Sequence, residues 1–166
     1  MAVVAVKSNI ITKADATPPT IMSPTERGGK MRQQIATVEV TNGDSIASIF
    51  RMVRLPSNAR VCSIWLYNDA ITSATADIGI YQTAANGGAV VDVDAYATAL
   101  AISSARTVSP VDASFEARDI ANAARKVWED AGLTADTQRE YDLAFTLTAA
   151  ATATGTVTWM VDYVVD

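Results

Sequence analysis

Side chains that commonly carry catalysis or bind metals are scarce in this sequence. Its 166 residues contain no histidine and one cysteine, Cys62. Histidine is the usual general base and a frequent zinc ligand near neutral pH, and a Ser-His-Asp triad cannot be built without it. Cys62 lies in the apolar segment 61–67 with no histidine to activate it. We therefore predict an inert, buried side chain that forms no intrachain disulfide.

Two pairs of aspartates are the remaining candidates for chemistry. Asp92 and Asp94 would share one face of a strand and could contribute to a Ca²⁺ site, but calcium takes about six to eight oxygen ligands and no further acidic ligands follow. Capping a helix is the simpler role for this pair. Asp69 and Asp77 could form an acid–base pair across a loop, on spacing alone. The sequence thus predicts no catalytic residue, no cofactor, no metal site and no enzyme activity.

Three tryptophans and five tyrosines offer a different kind of site, an aromatic surface for a sugar. Trp65, Tyr141, Trp159 and Tyr163, however, lie beside Val and Leu in segments of alternating pattern, where packing in a core explains them. We therefore favour core positions for these rings. A carbohydrate- or receptor-binding module remains the alternative function.

Charge and hydropathy exclude two classes of partner. The net charge is -5 and the pI is about 4.6, whereas nucleic-acid binding requires clustered Lys and Arg. No apolar run approaches the roughly 20 residues of a membrane-spanning helix. The segment Met1–Lys7 is too short for a secretory signal and has its charge after its apolar part. We predict a protein made in the cytoplasm that binds neither nucleic acid nor membrane.

The first 34 residues have the pattern of an extended N-terminal arm. Prolines and a glycine pair interrupt both helix and sheet in this segment. Its short apolar start could add a strand to the sheet of a neighbour, and its basic residues could contact an acidic partner. The predicted partner-binding residues are Val3, Val4, Val6, Pro18, Pro19, Arg27, Lys30 and Arg32.

Alternating apolar and polar residues predict six strands in the remainder of the chain. They span about 36–41, 47–55, 60–68, 77–81, 141–148 and 157–165. The Thr/Ala-rich tract at 146–158 fits either a polar sheet face or a contact between subunits.

A switch to helical spacing predicts a two-helix insertion at about 90–132. The first helix would begin at Asp92 or Asp94 and end near Ser103. The second would begin at the N-cap Ser114 and end before Gly132, a residue suited to the left-handed position after a helix.

These elements predict a mainly β (α+β) fold. It would be an antiparallel β-sandwich or jelly-roll-like barrel at residues 35–166, with the two-helix insertion and the extended arm at residues 1–34.

Several strand-and-turn segments resemble the small decoration, or cement, proteins of tailed-bacteriophage capsids. The matching segments are 53–61, 66–69, 77–81, 139–147 and 155–157. The resemblance implies a β-rich structural protein on the outside of the virion that binds the phage major capsid protein and stabilises contacts between its subunits. It also implies no enzyme activity and no cofactor. Self-association into a trimer or dimer would suit a position at a symmetry axis.

Overall fold

Two four-stranded antiparallel sheets pack face to face in the computed structural model, which describes residues 6–24 and 26–165. Sheet A has the order β1-β8-β3-β6 and sheet B the order β2-β7-β4-β5. Within the described residues the strands are β1 (Lys30–Val40), β2 (Ile49–Pro56), β3 (Ala59–Asn68), β4 (Thr75–Gln82), β5 (Val90–Ala101), β6 (Val111–Asp112), β7 (Glu140–Ala149) and β8 (Gly155–Val165). This order, in which every pair of consecutive strands except β4 and β5 lies in different sheets, is that of a jelly roll. The predicted mainly β sandwich is confirmed.

The core lies between the inner faces of the two sheets. Strand β8 places Val157, Trp159 and Val161 inward, and all three are fully buried. Phe145 on β7 contacts the Trp159 ring, with 5.9 Å between ring centroids, and stacks on Phe50 of β2 at 4.7 Å. The apolar residues of the alternating pattern thus lie on the inner faces of these strands, as expected for sheets that pack on one side.

The first predicted helix is wrong, because residues 90–101 form strand β5. The register between β4 and β5 shifts at three places, and each shift changes which face the next residue occupies. As a result Tyr96, Ala97 and Leu100 are all buried, at a spacing that resembles one face of a helix. Asp94 does not cap a helix; its backbone N–H donates to the Asp92 carboxylate at 3.3 Å.

The second predicted helix is reduced to a 3₁₀ turn at Ile120–Asn122 and one α-helical turn, α2 (Val127–Asp130). Ile120 on the expected apolar face is exposed, and Arg118 is buried instead. The Arg118 guanidinium donates to backbone carbonyls of this segment, so a side chain takes over hydrogen bonding that a helix would supply. Gly132 does adopt the predicted left-handed conformation, with φ +72°.

The leading segment contains a short helix, α1 (Asn9–Ala14), whose N-cap is the Ser8 side chain. The chain then turns through residues 15–24 and 26–29 and enters β1 at Lys30, within the predicted arm. Gly29 lies so close to the body that a Cβ there would stand 2.1 Å from the Pro24 carbonyl oxygen and 2.4 Å from Val164 Cγ1. The segment therefore covers the end of sheet A at Val164, which is buried although it lies on the outer face.

Candidate interaction surfaces

The predicted partner-binding residues that the structure describes are all exposed. Val3 and Val4 lie outside the described residues. Val6 precedes α1, the prolines follow it, and the basic residues lie at the approach to β1 and within it. They are therefore spread along the leading segment rather than gathered at one point. The exposed residues are Val6, Pro18, Pro19, Arg27, Lys30 and Arg32.

Exposed apolar side chains accompany these residues in the leading segment. Ile21 is 97% exposed and Val6 is 87% exposed. An open pocket of about 320 Å³ lies in this segment, lined by Ala14, Pro19, Thr20, Ile21, Met22 and Arg27. Water-exposed aliphatic groups next to a guanidinium suit a partner surface that combines apolar and acidic side chains.

An ion pair fastens α1 to the turn before β1. Lys13 Nζ lies 2.5 Å from a carboxylate oxygen of Glu26, and this hydrogen bond lowers the pKa of the Glu26 carboxyl. The Thr20 backbone N–H donates to the Lys13 carbonyl at 3.0 Å. These bonds hold Pro18, Pro19 and Ile21 in a loop between two fixed points.

A second candidate surface is the outer face of sheet A. Ile35 of β1, Met160 of β8 and Trp65 of β3 are direct cross-strand neighbours and form a row across three strands. Ile35 is 63% exposed, and the other two side chains are half-buried. Tyr67 lies on the same face as Trp65 and is also half-buried. We call Met31, Ile35, Trp65, Tyr67 and Met160 the sheet A patch.

The sheet A patch corrects part of the prediction for the aromatic residues. Trp159, Tyr141 and Tyr163 are buried, as predicted for core rings, but Trp65 faces outward. The register of β3 against β8 shifts between Val61 and Ser63. This bulge puts Val61, Ile64 and Leu66 on the inner face, so Trp65 points to the other side.

The Thr-rich tract forms hydrogen-bonded pairs across neighbouring strands. Thr158 pairs its hydroxyl with that of Thr37 on β1 at 2.9 Å, and Thr148 pairs with Thr75 on β4 at 2.7 Å. Cross-strand Thr pairs stabilise a sheet. The two pairs account for the tract as part of the polar sheet faces.

On the outer face of sheet B, Asp142 holds two arginines. Its buried carboxylate accepts from Arg54 Nε at 2.7 Å and from Arg51 at 3.0 Å. The hydrogen bond to Asp142 raises the pKa of Arg54. Arg51 also donates to the carbonyls of Gln82 and Gly88 at 2.7 and 2.6 Å. Because these donors are engaged within the protein, the cluster links β2 to β7 and the loop after β4 rather than offering an anion site.

A buried polar cluster lies between β5 and residues 118–130, a segment that ends with α2. Arg118 and Asp130 form an ion pair of 3.0 Å with side chains only 2% and 5% exposed. Tyr96 donates its hydroxyl to Asp130 at 3.2 Å. Burial raises the pKa of Asp130 to about 6, against the opposing effect of Arg118, and burial also raises the pKa of Tyr96. The ion pair braces the segment internally, and the bond from Tyr96 fastens it to β5.

The remaining candidates for chemistry have structural partners. Asp69 accepts from the Thr156 backbone N–H at 3.0 Å, whereas Asp77 accepts from that of Ala99 at 2.7 Å, so each carboxylate bonds to a different strand. Burial raises the pKa of Asp92 beside Asp94. Cys62 is half-buried at the β3 bulge, less enclosed than predicted.

Among residues 6–24 and 26–165, no group of three or more His, Cys, Asp or Glu side chains is arranged to hold a metal ion. Within the same ranges, no helix is long and apolar enough to cross a membrane.

Comparisons of sequence find no relatives: no protein-family model matches the chain, and no curated protein matches it.

Comparisons of structure find chains of three phage capsids. The chain is similar to one in the capsid asymmetric unit of cyanophage Pam1, with 19% identity over 83% of this chain and 86% of that chain, and a TM-score of 0.54. A chain in the capsid of Ralstonia phage GP4 is 17% identical over 83% of this chain and 86% of that chain, with a TM-score of 0.48. A chain in the acid-stable capsid of Helicobacter pylori bacteriophage KHP30 is 13% identical over 82% of this chain and 92% of that chain, with a TM-score of 0.36. The first similarity shows a shared fold.

Proposed function

We propose that this protein is a non-enzymatic structural component of a phage virion. It binds the outside of the capsid and stabilises contacts between major capsid protein subunits. The observation that carries the proposal is the similarity of the fold to a chain of the cyanophage Pam1 capsid asymmetric unit over 83% of this chain. The polar clusters that could have supported catalysis are engaged in holding the fold together, which agrees with a structural role.

The distribution of charge suits a two-part contact. Residues 1–34 carry five Lys or Arg and two Asp or Glu, a net charge of +3. Residues 35–166 carry eight Lys or Arg and sixteen Asp or Glu, a net charge of -8. A basic leading segment on an acidic body is attracted to acidic patches on neighbouring subunits. In this proposal the body docks on one capsid subunit and the leading segment reaches the next, with Val6, Pro18, Pro19, Arg27, Lys30 and Arg32 at the contact.

Ile21 should contribute most per side chain to the contact of the leading segment. Its side chain is 97% exposed, so nearly all of its surface is available to a partner. Full burial of such a side chain contributes about 1.5–3 kcal/mol, and linking this contact to that of the body raises its effective concentration. Two weak contacts on one rigid body then give firm binding without a single strong one.

The test compares two substitutions of nearly fully exposed apolar residues. Ile21→Asp alters the leading segment, and Val108→Asp, at a residue 95% exposed in the loop after β5, is the matched control. Neither change removes a core contact, so both proteins should fold. Each is mixed with empty capsids of the major capsid protein from the same genome, and bound protein is measured by co-sedimentation.

We expect wild type and Val108→Asp to bind alike and Ile21→Asp to bind at least about tenfold more weakly, which corresponds to about 1.4 kcal/mol. Equal binding by Ile21→Asp would exclude the leading segment from the contact. Failure of the wild-type protein to bind capsids at all would refute the proposed function.

One observation favours a second candidate function, a carbohydrate- or receptor-binding module. Trp65 and Tyr67 share the outer face of sheet A and are only half-buried, as a sugar-stacking surface requires. In that case Trp65→Ala would abolish binding to a glycan array and leave binding to capsids unchanged. An array without any bound glycan would remove this candidate.

A further inference from the structure

Within residues 6–24 and 26–165 the sandwich has four edge strands, and three of them carry features that discourage pairing with another chain. Strand β6 is only two residues long, β2 has a bulge between Arg51 and Val53 and ends in Pro56, and β5 shifts register against β4 at three places. Short strands, bulges and prolines are the usual protection of an exposed sheet edge. These three edges are therefore built to remain unpaired.

Strand β1 has none of these features. It runs for eleven residues, contains no proline, and pairs with β8 without a single register shift. Its central residues 33–38 carry no charge. Met31 and Ile35 are 62% and 63% exposed on its outer side. A long, regular edge with exposed apolar side chains is a template for β-pairing.

We propose that β1 pairs with β1 of a second copy of this chain. The two strands would run antiparallel about a two-fold axis near Ile35, so that sheet A continues into sheet A of the second copy. Ile35 would then lie opposite Ile35 of the second copy, and the sheet A patches of the two molecules would join into one surface. The interface is isologous, as a dimer of identical chains requires.

The charges of β1 favour this partner and this direction. Lys30 and Arg32 lie at the start of the strand and Glu39 lies near its end. In the antiparallel pair Glu39 lies opposite Met31 of the second copy, which Lys30 and Arg32 flank in sequence, so the acidic end of each strand lies next to the basic end of the other. Parallel pairing would instead place the two basic ends together. The strand is therefore complementary to itself, which an unrelated partner would have to match by chance.

This inference gives a geometry to the self-association that the sequence resemblance implies, and it is tested without capsids. In a Cys62→Ser background, Ile35→Cys places one thiol at the proposed axis. Ile49→Cys, at a residue of edge strand β2 that is 49% exposed, is the matched control. Directly opposite residues of antiparallel strands have Cα atoms about 4.5–5.5 Å apart, which a disulfide can bridge.

After mild oxidation we expect a disulfide-linked dimer for Ile35→Cys and monomer for Ile49→Cys on a non-reducing gel. Light scattering should find the wild-type protein dimeric. Ile35→Asp should weaken the dimer by about tenfold or more and leave the melting temperature of the monomer unchanged, because this side chain faces solvent.

Monomeric or trimeric wild-type protein, or equal cross-linking of the two cysteine variants, would overturn the pairing. So would a dimer that survives Ile35→Asp and is lost on deletion of residues 2–6, since the leading segment would then be the contact. The two proposals fail separately. Monomers that bind capsids would refute only the pairing, and dimers that do not bind them would refute only the capsid role.

Discussion

Replacing Arg118 by methionine should destabilise the fold by about 3–5 kcal/mol, the usual cost of breaking a buried ion pair from one side. The pair is almost entirely shielded from water, with Arg118 2% and Asp130 5% exposed. Arg118 also donates to the carbonyls of Asn122 and Arg125 at 2.9 and 3.1 Å and lies 5.6 Å above the Tyr96 ring. Methionine retains much of the volume and removes all of these interactions.

The size of the loss depends on how Asp130 responds. Its pKa is already about 6 because of burial, and Arg118 holds it down. Without Arg118 the pKa of this carboxyl rises further, so the folded variant takes up a proton and avoids a buried, unpaired charge. The destabilisation should therefore be smallest at mildly acidic pH and should increase towards alkaline pH.

Urea denaturation followed by tryptophan fluorescence measures the effect. For a single domain with a total stability of about 5–15 kcal/mol, a loss of 3 kcal/mol or more shifts the midpoint clearly. Arg139→Met, at an exposed arginine, is the control and should change stability by no more than about 0.5 kcal/mol. A loss below about 1 kcal/mol for Arg118→Met would refute the view that this ion pair braces residues 118–130 in their folded position.

Two further predictions concern stability. The folded-state pKa of Asp130 is raised from 3.8 to about 6, so the contribution of its protonated form to stability is complete below about pH 4 and is lost as the pH rises through 6. The loss amounts to up to about 3 kcal/mol. Urea titrations across this range should show the decline in the free energy of unfolding, and Asp130→Asn should flatten it. An unchanged slope in Asp130→Asn would assign the decline to other groups. Gly79→Ala should cost about 1–3 kcal/mol or more, because its Cβ would stand 2.1 Å from the Asp92 carbonyl oxygen and would push β4 and β5 apart. A Gly79→Ala variant with the same melting temperature as the wild type would show that β5 can shift to make room for the added Cβ.

The strands that the sequence predicts best are those whose alternation matches burial on one side. In β8 the apolar residues at every second position from 157 to 163 are buried and those between them are half-buried, so pattern and structure agree. In β7 the alternating apolar residues are buried too, although Asp142 and Ala144 on the other face are also covered. The beginning of β1 could not be predicted in this way. Residues 30–33 are all exposed at the sheet edge, and no alternation of burial marks them as a strand.

Bulges explain most of the differences between prediction and structure. In β5 the register shifts make a strand look like a helix, and in β3 one bulge sends Trp65 outward. A bulge depends on the partner strand, and a single sequence contains no information about which strand that is. In the segment before α2, the buried Arg118 replaces helical hydrogen bonds, and sequence patterns assign a lone arginine to the surface.

The exposure of the candidate contact residues in the leading segment could be predicted from composition, because prolines and basic residues favour the surface without any tertiary context. The sheet A patch could not, because it combines three strands that are distant in sequence. Its assembly follows from the strand order, which the spacing of apolar residues does not determine.

The most direct test of the capsid role is the copy number of this protein in purified virions, measured by quantitative mass spectrometry against the major capsid protein. The proposal predicts a number in fixed proportion to the capsomers, together with density on the outer surface of the shell. A virion that lacks the protein, or holds only the few copies of a portal or tail component, would contradict it.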